Sequence, residues 1–409
     1  MIRMIKWLKN AVIYQIMVDR FSTSNSRKDR KLENKTSKSW MGGNLKGILT
    51  HIEHISNFAN VLYLSPVYSA SEYHGYVVKD YFKIDPHFGT EKDLIKLVRA
   101  SHKRNIKVIL DFVPNHMSWE NPIFVEARRN RNSKYFKWFV FEKWPNEYLC
   151  YLNVKELPKI NVDNEDAREY LISAARYWIE IADIDGYRLD HSIGPSKDFW
   201  KEFNREIKSI KKDFALIGEA GHALGWYVGG KFKKKWKKEW IKTLWFIKSF
   251  SLKERKKVEE IAGKRDLFSS IEYTDLMMKN SQEIFDGCID FSFGDLAIAL
   301  ATGKIKEEEF KKNLEKHYKK FRKDFSLITL LSNHDRGRFI SYFGKEKTIE
   351  ISSMQFSVHQ PALIYYGEEI GLKGKGPFEN ARRFMIWNKK LWDKELLEHY
   401  KALYKSRVS

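Results

Sequence analysis

Cysteine is almost missing from this sequence: Cys150 and Cys288 are the only two in 409 residues. Two thiols, with no CxxC and no Cys/His cluster, exclude a disulfide scaffold and supply no zinc ligand set. Long hydrophobic runs are missing too. No stretch of about eighteen apolar residues occurs, so nothing in the sequence reads as a bilayer span. The N-terminus, MIRMIKWLKNAVIYQIM, is broken by Lys6, Lys9 and Asn10 and lacks a small-residue cleavage site. It reads as a first strand, not a signal peptide. These absences make a cytoplasmic protein the expectation. Acid falls short of base, with 53 Asp and Glu against 74 Lys and Arg and a formal net charge of +21. Such a balance suits anionic partners, but the charges are interleaved and no recognition motif accompanies them. The expectation is a well-solvated surface and no nucleic-acid partner.

What is abundant is core-forming material: 43% hydrophobic residues, 15% aromatic. Short apolar runs alternate with helical patterns along most of the chain. Eight candidate strands stand out, at Ala11–Val18, Asn60–Leu64, Lys107–Phe112, Asp185–Asp190, Ala215–Glu219, Cys288–Phe293, Leu327–Ser332 and Ala362–Tyr366. Near-continuous apolar character over so few residues is typical of parallel strands buried on both faces. Helical patterns at Glu91–Arg104, Asp166–Ala182, Lys197–Lys211 and Leu391–Lys405 fall between or after them. Repetition through eight strand-helix units favours a closed (β/α)8 barrel; the pattern alone also permits an open doubly wound sheet. Two stretches break the rhythm. Residues 117–160 are too long for a simple loop and read as a small subdomain inserted after the third strand. A second insertion, at about 221–284, interleaves lysines with Trp236, Trp240, Trp245 and Phe246. The expected layout is therefore 1–116 and 161–409 as the two parts of the barrel around the 117–160 insert.

In a parallel barrel, functional groups gather where strands end. Polar clusters sit at four such ends: Asp111 to His116, Arg188 to His191, Gly218 to Ala220, and Ser332 to Arg338. Any one alone could be a helix cap or a salt bridge; four at one mouth point to a site. Converging carboxylates raise one another's pKa. That arrangement provides one ionised carboxylate and one protonated carboxyl, the pair that glycosidic cleavage needs. Arg188 precedes Asp190 by two residues and so shares its strand face, which predicts an ionised Asp190. Glu219, beside apolar and small residues, is expected to keep a proton.

DFVPNH, GYRLDHSIG, LIGEA and LSNHD resemble, in order and spacing, the four motif blocks of the α-amylase family. YQIMVDRF, GGNLKGI, HGY, DYFKIDPHFGT, LPKIN and ALIYYGEEIG agree, so the resemblance covers nearly the whole chain. It implies a TIM barrel and a retaining glycoside hydrolase acting on α-linked glucans, with transglycosylation as a close alternative. A non-catalytic carbohydrate-binding homologue is the remote one. By resemblance Asp190 is the nucleophile, Glu219 the acid/base and Asp335 the third carboxylate. Arg188 orients the nucleophile, His116 and His334 contact sugar hydroxyls, Tyr76 is a stacking platform, and His74 and Arg338 are outer contacts. LPKIN leans toward the neopullulanase, cyclomaltodextrinase and oligo-glucosidase neighbourhood. The extra N-terminal β domain common there is not expected, nor is a C-terminal β-sandwich; a homodimer is left open.

The sequence also departs from the family pattern. Ile193 and Gly194 stand where many α-amylases carry Lys and His. In the loop that binds calcium in some relatives, Asn25, Asp29 and Asn44 are ligand-capable, but Thr23 and Lys28 fill other places. Calcium wants several oxygens, so no metal or other cofactor is expected to be required. For the basic aromatic insertion three readings stay open: a lid or dimer contact, a helix packed on the barrel wall, or a membrane-surface helix.

Overall fold

The computed structural model describes residues 5–221, 252–261, 267–376 and 378–408. Twelve strands occur among them: β1 (Val12–Ile16), β2 (Val61–Leu64), β3 (Tyr68–Ala70), β4 (Val78–Ile84), β5 (Lys107–Phe112), β6 (Phe141–Lys143), β7 (Glu147–Tyr148), β8 (Gly186–Leu189), β9 (Ala215–Gly218), β10 (Gly287–Asp290), β11 (Ser326–Leu330) and β12 (Ala362–Tyr365). Eight of them close a barrel in the order β1-β12-β11-β10-β9-β8-β5-β2, so the open-sheet alternative is set aside. All eight seams are parallel. Short strands such as VLYL and ALIY are buried at every position, because side chains fill the barrel inside and helices cover it outside.

The helices follow from amphipathic pattern and caps. Helix Glu91–His102 begins with a reciprocal Thr90/Asp93 capping box and buries Leu94, Leu97 and Val98. Helix Glu165–Ala182 starts at an Asn164 cap and buries Leu171, Ala175 and Trp178; burying a large aromatic contributes roughly 2–3 kcal/mol before entropy is subtracted. Helix Glu307–Tyr318 carries His317 into the interior. There its ring nitrogens lie 2.8 Å from Asp275 Oδ1 and 3.1 Å from Asp290 Oδ2.

Two expectations need adjusting. The N-terminal stretch does not enter directly as a strand: Lys6–Lys9 form a short helix, and β1 begins at Val12. The sixth barrel strand stops at Asp290, well short of Phe293, because Asp290 caps helix Phe291–Ala301 through Phe293 N. That helix is apolar nearly throughout, so the strand's hydrophobic run passes into it without a polar break. The antiparallel pair β3/β4, which lies in the chain between the second and third barrel strands, left no pattern beyond its motifs.

Between β5 and β8 the chain forms helix Pro122–Arg129, a 3-10 turn at Phe136–Trp138 and the β6/β7 hairpin. The bridge His116–Lys159 ties its two ends together, and Cys150–Pro158 closes a loop near the second end. In the later insertion, helices Leu252–Ile261 and Leu267–Ser281 are described. Trp236, Trp240, Trp245 and Phe246 lie outside the described residues. No helix among the described residues is long and apolar enough to cross a membrane.

Candidate active site

Register places the polar groups. Asp111 on β5 pairs across to Arg188 on β8, and Gln15 on β1 is level with Tyr63 on β2. All four are buried residues of the barrel interior. Arg188 is the hub. Its Nη1 lies 2.8 Å from both Asp111 Oδ1 and Asp190 Oδ1, and its Nη2 lies 2.6 Å from Glu219 Oε1. Asp111 Oδ2 also accepts from Tyr63 (2.6 Å) and Tyr76 (2.8 Å). His191, just after Asp190, adopts a left-handed φ of 41°. That turn aims its N–H at Glu219 Oε2, 2.9 Å away.

One guanidinium therefore serves three carboxylates, Asp111 as well as the Asp190 and Glu219 of the expected pair. Burial raises Asp190, opposed by Arg188 and reinforced by Glu219 and Asp111. Burial raises Glu219 to about 7, again against Arg188, with Asp335 adding to the rise. Three negative charges around one positive charge in a low-dielectric pocket retain a proton within the group. Arg188 contacts both Asp190 and Glu219, so that proton is a property of the cluster.

Asp335 completes the set from the loop after β11. Its Oδ2 lies 3.1 Å from His334 Nε2, and its Oδ1 accepts from Arg382 Nη2 at 3.0 Å. Arg382 also donates from Nε to His334 O (2.7 Å) and from Nη1 to Tyr73 OH (3.2 Å). Burial pushes His116 and His334 down to about 3, so both rings are neutral near pH 7. His116 stacks on Tyr151, and Tyr76 stacks on His334. His74 is held by Glu72, whose Oε2 is 2.7 Å from Nε2.

These groups face a cavity of about 690 Å³. Asp190, Glu219, Asp335, His74, Tyr76, His116 and His334 line it, whereas Arg188 lies beneath. Arg338 is a correction. It is fully buried, donates to Tyr366 O and Ala381 O, and rests over the Tyr365 and Tyr366 rings, with no place on the cavity wall. Arg382 reaches the cavity instead. Its place in NARRFMIWN, beyond the last strand, gave no signal in the sequence.

Lys159, within LPKIN, is the other residue missed. It is 1% exposed and donates to Asn115 Oδ1 (2.5 Å) and Gly194 O (3.0 Å), joining the insert to two barrel loops. A Cβ at Gly194 would lie 1.9 Å from Asn115 Oδ1, so this packing requires the glycine. As for metals, no group of three or more His, Cys, Asp or Glu suited to an ion occurs among the described residues. Asp29 accepts from Ser22 Oγ, Thr23 N and Thr23 Oγ1, and Asn25 and Asn44 cap helices.

Comparison with known proteins gives concordant matches. The family model "Alpha amylase, catalytic domain" matches residues 15–407. Alpha-amylase 2 of Dictyoglomus thermophilum is 34% identical over 98% of this chain and 64% of its own length. A cyclomaltodextrinase from a Bacillus species is 30% identical over 98% of this chain and 66% of its own. The chain thus spans about two thirds of those relatives. Among solved structures, the ligand-free cyclic α-maltosyl-(1→6)-maltose hydrolase of Arthrobacter globiformis superposes with a TM-score of 0.78 at 26% identity, covering 98% of this chain and 83% of that one.

Proposed function

Because the chain belongs to the alpha-amylase catalytic-domain family, we propose that it is a retaining glycoside hydrolase. Its substrates are maltodextrins, cyclodextrins or related α-glucans, cleaved at α-1,4 bonds, with α-1,6 bonds as the second linkage to test. The observation that carries this reading is the Asp190–Arg188–Glu219 arrangement, with Asp335 on the same cavity. Asp190 attacks the anomeric carbon as the glycosidic C–O bond breaks, and Glu219 gives its proton to the departing oxygen. Water then adds at that carbon, returning a proton to Glu219 and releasing Asp190. Two inversions leave the α configuration unchanged. Asp335, kept in place by Arg382, faces the positive charge that develops on the sugar ring. Neutral His116 and His334 line the wall beside the sugar hydroxyls, and Tyr76 offers a ring face.

The proposed reaction uses no metal, a reading supported by Asp29, whose oxygens are already committed to protein donors. Time-resolved product analysis on maltoheptaose, β-cyclodextrin and pullulan, with wild type and Asp190→Asn, tests the proposal. Short α-configured products that vanish in the variant support it. Products longer than the substrate reassign the chain as a glucanotransferase, and no turnover of any glucan by wild type rejects the substrate class.

A further inference from the structure

Gln15 is a polar side chain on β1, 3% exposed and pointing into the barrel beneath the cavity. Its Nε2 lies 2.9 Å from His334 Nδ1. On the far side of that ring, Nε2 faces two oxygens, Asp335 Oδ2 at 3.1 Å and Tyr76 OH at 2.8 Å. The single Tyr76 hydroxyl proton is already directed at Asp111 Oδ2. Asp335 as a carboxylate can only accept. The hydrogen between the ring and these two oxygens therefore belongs to His334 Nε2. A neutral ring then carries a lone pair at Nδ1, which needs a donor, and the Gln15 amide supplies it. The amide's other atom, Oε1, is buried without a hydrogen-bond partner, so the Nε2 end alone fixes the amide; turning the amide over would set two lone pairs against each other.

We propose that Gln15 is a positioning residue that holds His334 in the Nε2–H tautomer and so sets a one-way hydrogen-bond chain, Gln15 to His334 to Tyr76 to Asp111. The chain ends on the carboxylate that shares Arg188 with Asp190 and Glu219. It governs both the N–H available at His334 and the tilt of the Tyr76 ring. The kinetic consequence rests on the glycosidase reading above; the tautomer does not.

Nitrogen-15 NMR of histidine-labelled protein tests it, with the His334 signals assigned among the 12 histidines by their loss in His334→Gln. Wild type is expected to show a neutral ring protonated at Nε2 and unchanged from about pH 5.5 to 8, since burial keeps its pKa near 3. The charged and titratable groups facing the ring are Asp335, Arg188, Arg382 and His74, and none is altered by substitution at Gln15. Gln15→Met removes the donor: a mixed or reversed tautomer is expected, with kcat lower by roughly tenfold or more and KM little changed. Gln15→Glu keeps the side-chain length; as a carboxylate it only accepts, so above the pKa of the new carboxyl His334 is expected to become a doubly protonated imidazolium, and below it to keep the Nε2–H tautomer. That variant serves if Gln15→Met folds poorly. A wild-type ring protonated at Nδ1 overturns the proposal. So does a Gln15→Met protein with lowered kcat and an unchanged His334 spectrum, which would place the loss in packing. Failure of glucan turnover in wild type would reject the function and leave the spectrum to decide the tautomer.

Discussion

Asp111 touches no cavity, yet its replacement by asparagine is expected to move the pH dependence of the reaction. Asp111 and Glu219 are bound to the same guanidinium. The Asp111 charge raises Glu219, and two unit negative charges held about 6 Å apart at an effective dielectric near 20 repel by about 3 kcal/mol. That corresponds to ~2 pKa units as an upper bound. Relaxation of Arg188 toward its remaining partners absorbs part of this, so a shift of about one unit is the working figure. The sign is fixed. Glu219 works protonated, and activity falls as pH rises through its pKa, which burial places at about 7. Removing the Asp111 charge makes an ionised Glu219 less costly, so its pKa falls and the alkaline limb of kcat/KM moves to lower pH. The assay is a pH profile of kcat/KM on a short maltodextrin. Tyr63→Phe, which removes a hydrogen bond to Asp111 but keeps the charge, serves as the control and is expected to leave the limb near its original position. An unmoved or upward-shifted limb in Asp111→Asn would refute the shared-guanidinium account.

Arg338 and Arg382 are expected to part company. Arg338→Met loses two buried bonds to backbone carbonyls, costing roughly 3 kcal/mol, or about 3–4 °C in Tm for a chain of this length, while KM of the folded protein stays near wild type. Arg382→Met frees Asp335 and is expected to lower kcat by roughly tenfold or more; equal kinetics for the two variants would defeat the distinction. His317 makes a stability prediction. Although burial disfavours its charge, Asp290 and Asp275 raise its pKa to about 10. The unfolded value is about 6.5, so the stabilisation is complete below that pH and is lost as pH rises through 10. Thermal melts of wild type are expected to decline across this window and those of His317→Gln to be flatter; parallel curves would show that the ring is neutral in the folded protein.

The barrel was readable because its strands need little more than consecutive apolar residues, and VLYL, KVILDF and ALIY have nothing else to become. The carboxylates Asp190, Glu219 and Asp335 were readable for a related reason: polar residues following such strands must emerge at the mouth. Where one apolar run served two elements, as from Cys288 through Phe293, the boundary was lost, since periodicity cannot separate a buried strand from a buried helix over so few residues. Arg338 and Arg382 show a different limit. The sequence gives each arginine a neighbourhood but no direction, and only the close approach of the loop after β12 decides that the second faces Asp335 and the first faces backbone carbonyls. Gln15 and Lys159 were invisible as functional positions because single buried polar residues in apolar segments acquire meaning only from partners hundreds or tens of residues away. The sharing of Arg188 was hidden for the same cause: it has three anionic partners, and sequence spacing revealed one.

The seam between β1 and β12 has a consequence for how the protein is made. Gln15 emerges long before Arg382, and both must reach the His334–Asp335 loop before the pocket is whole. At ribosomal speeds of about 5–20 residues per second, roughly 10–30 s separate the emergence of Glu219 from that of Arg382. Throughout that interval Asp111, Arg188, Asp190 and Glu219 have been made and the Arg382 wall has not. A growing chain thus carries the reactive carboxyls long before it can use them, and catalysis switches on only when the last staves of the ring meet the first.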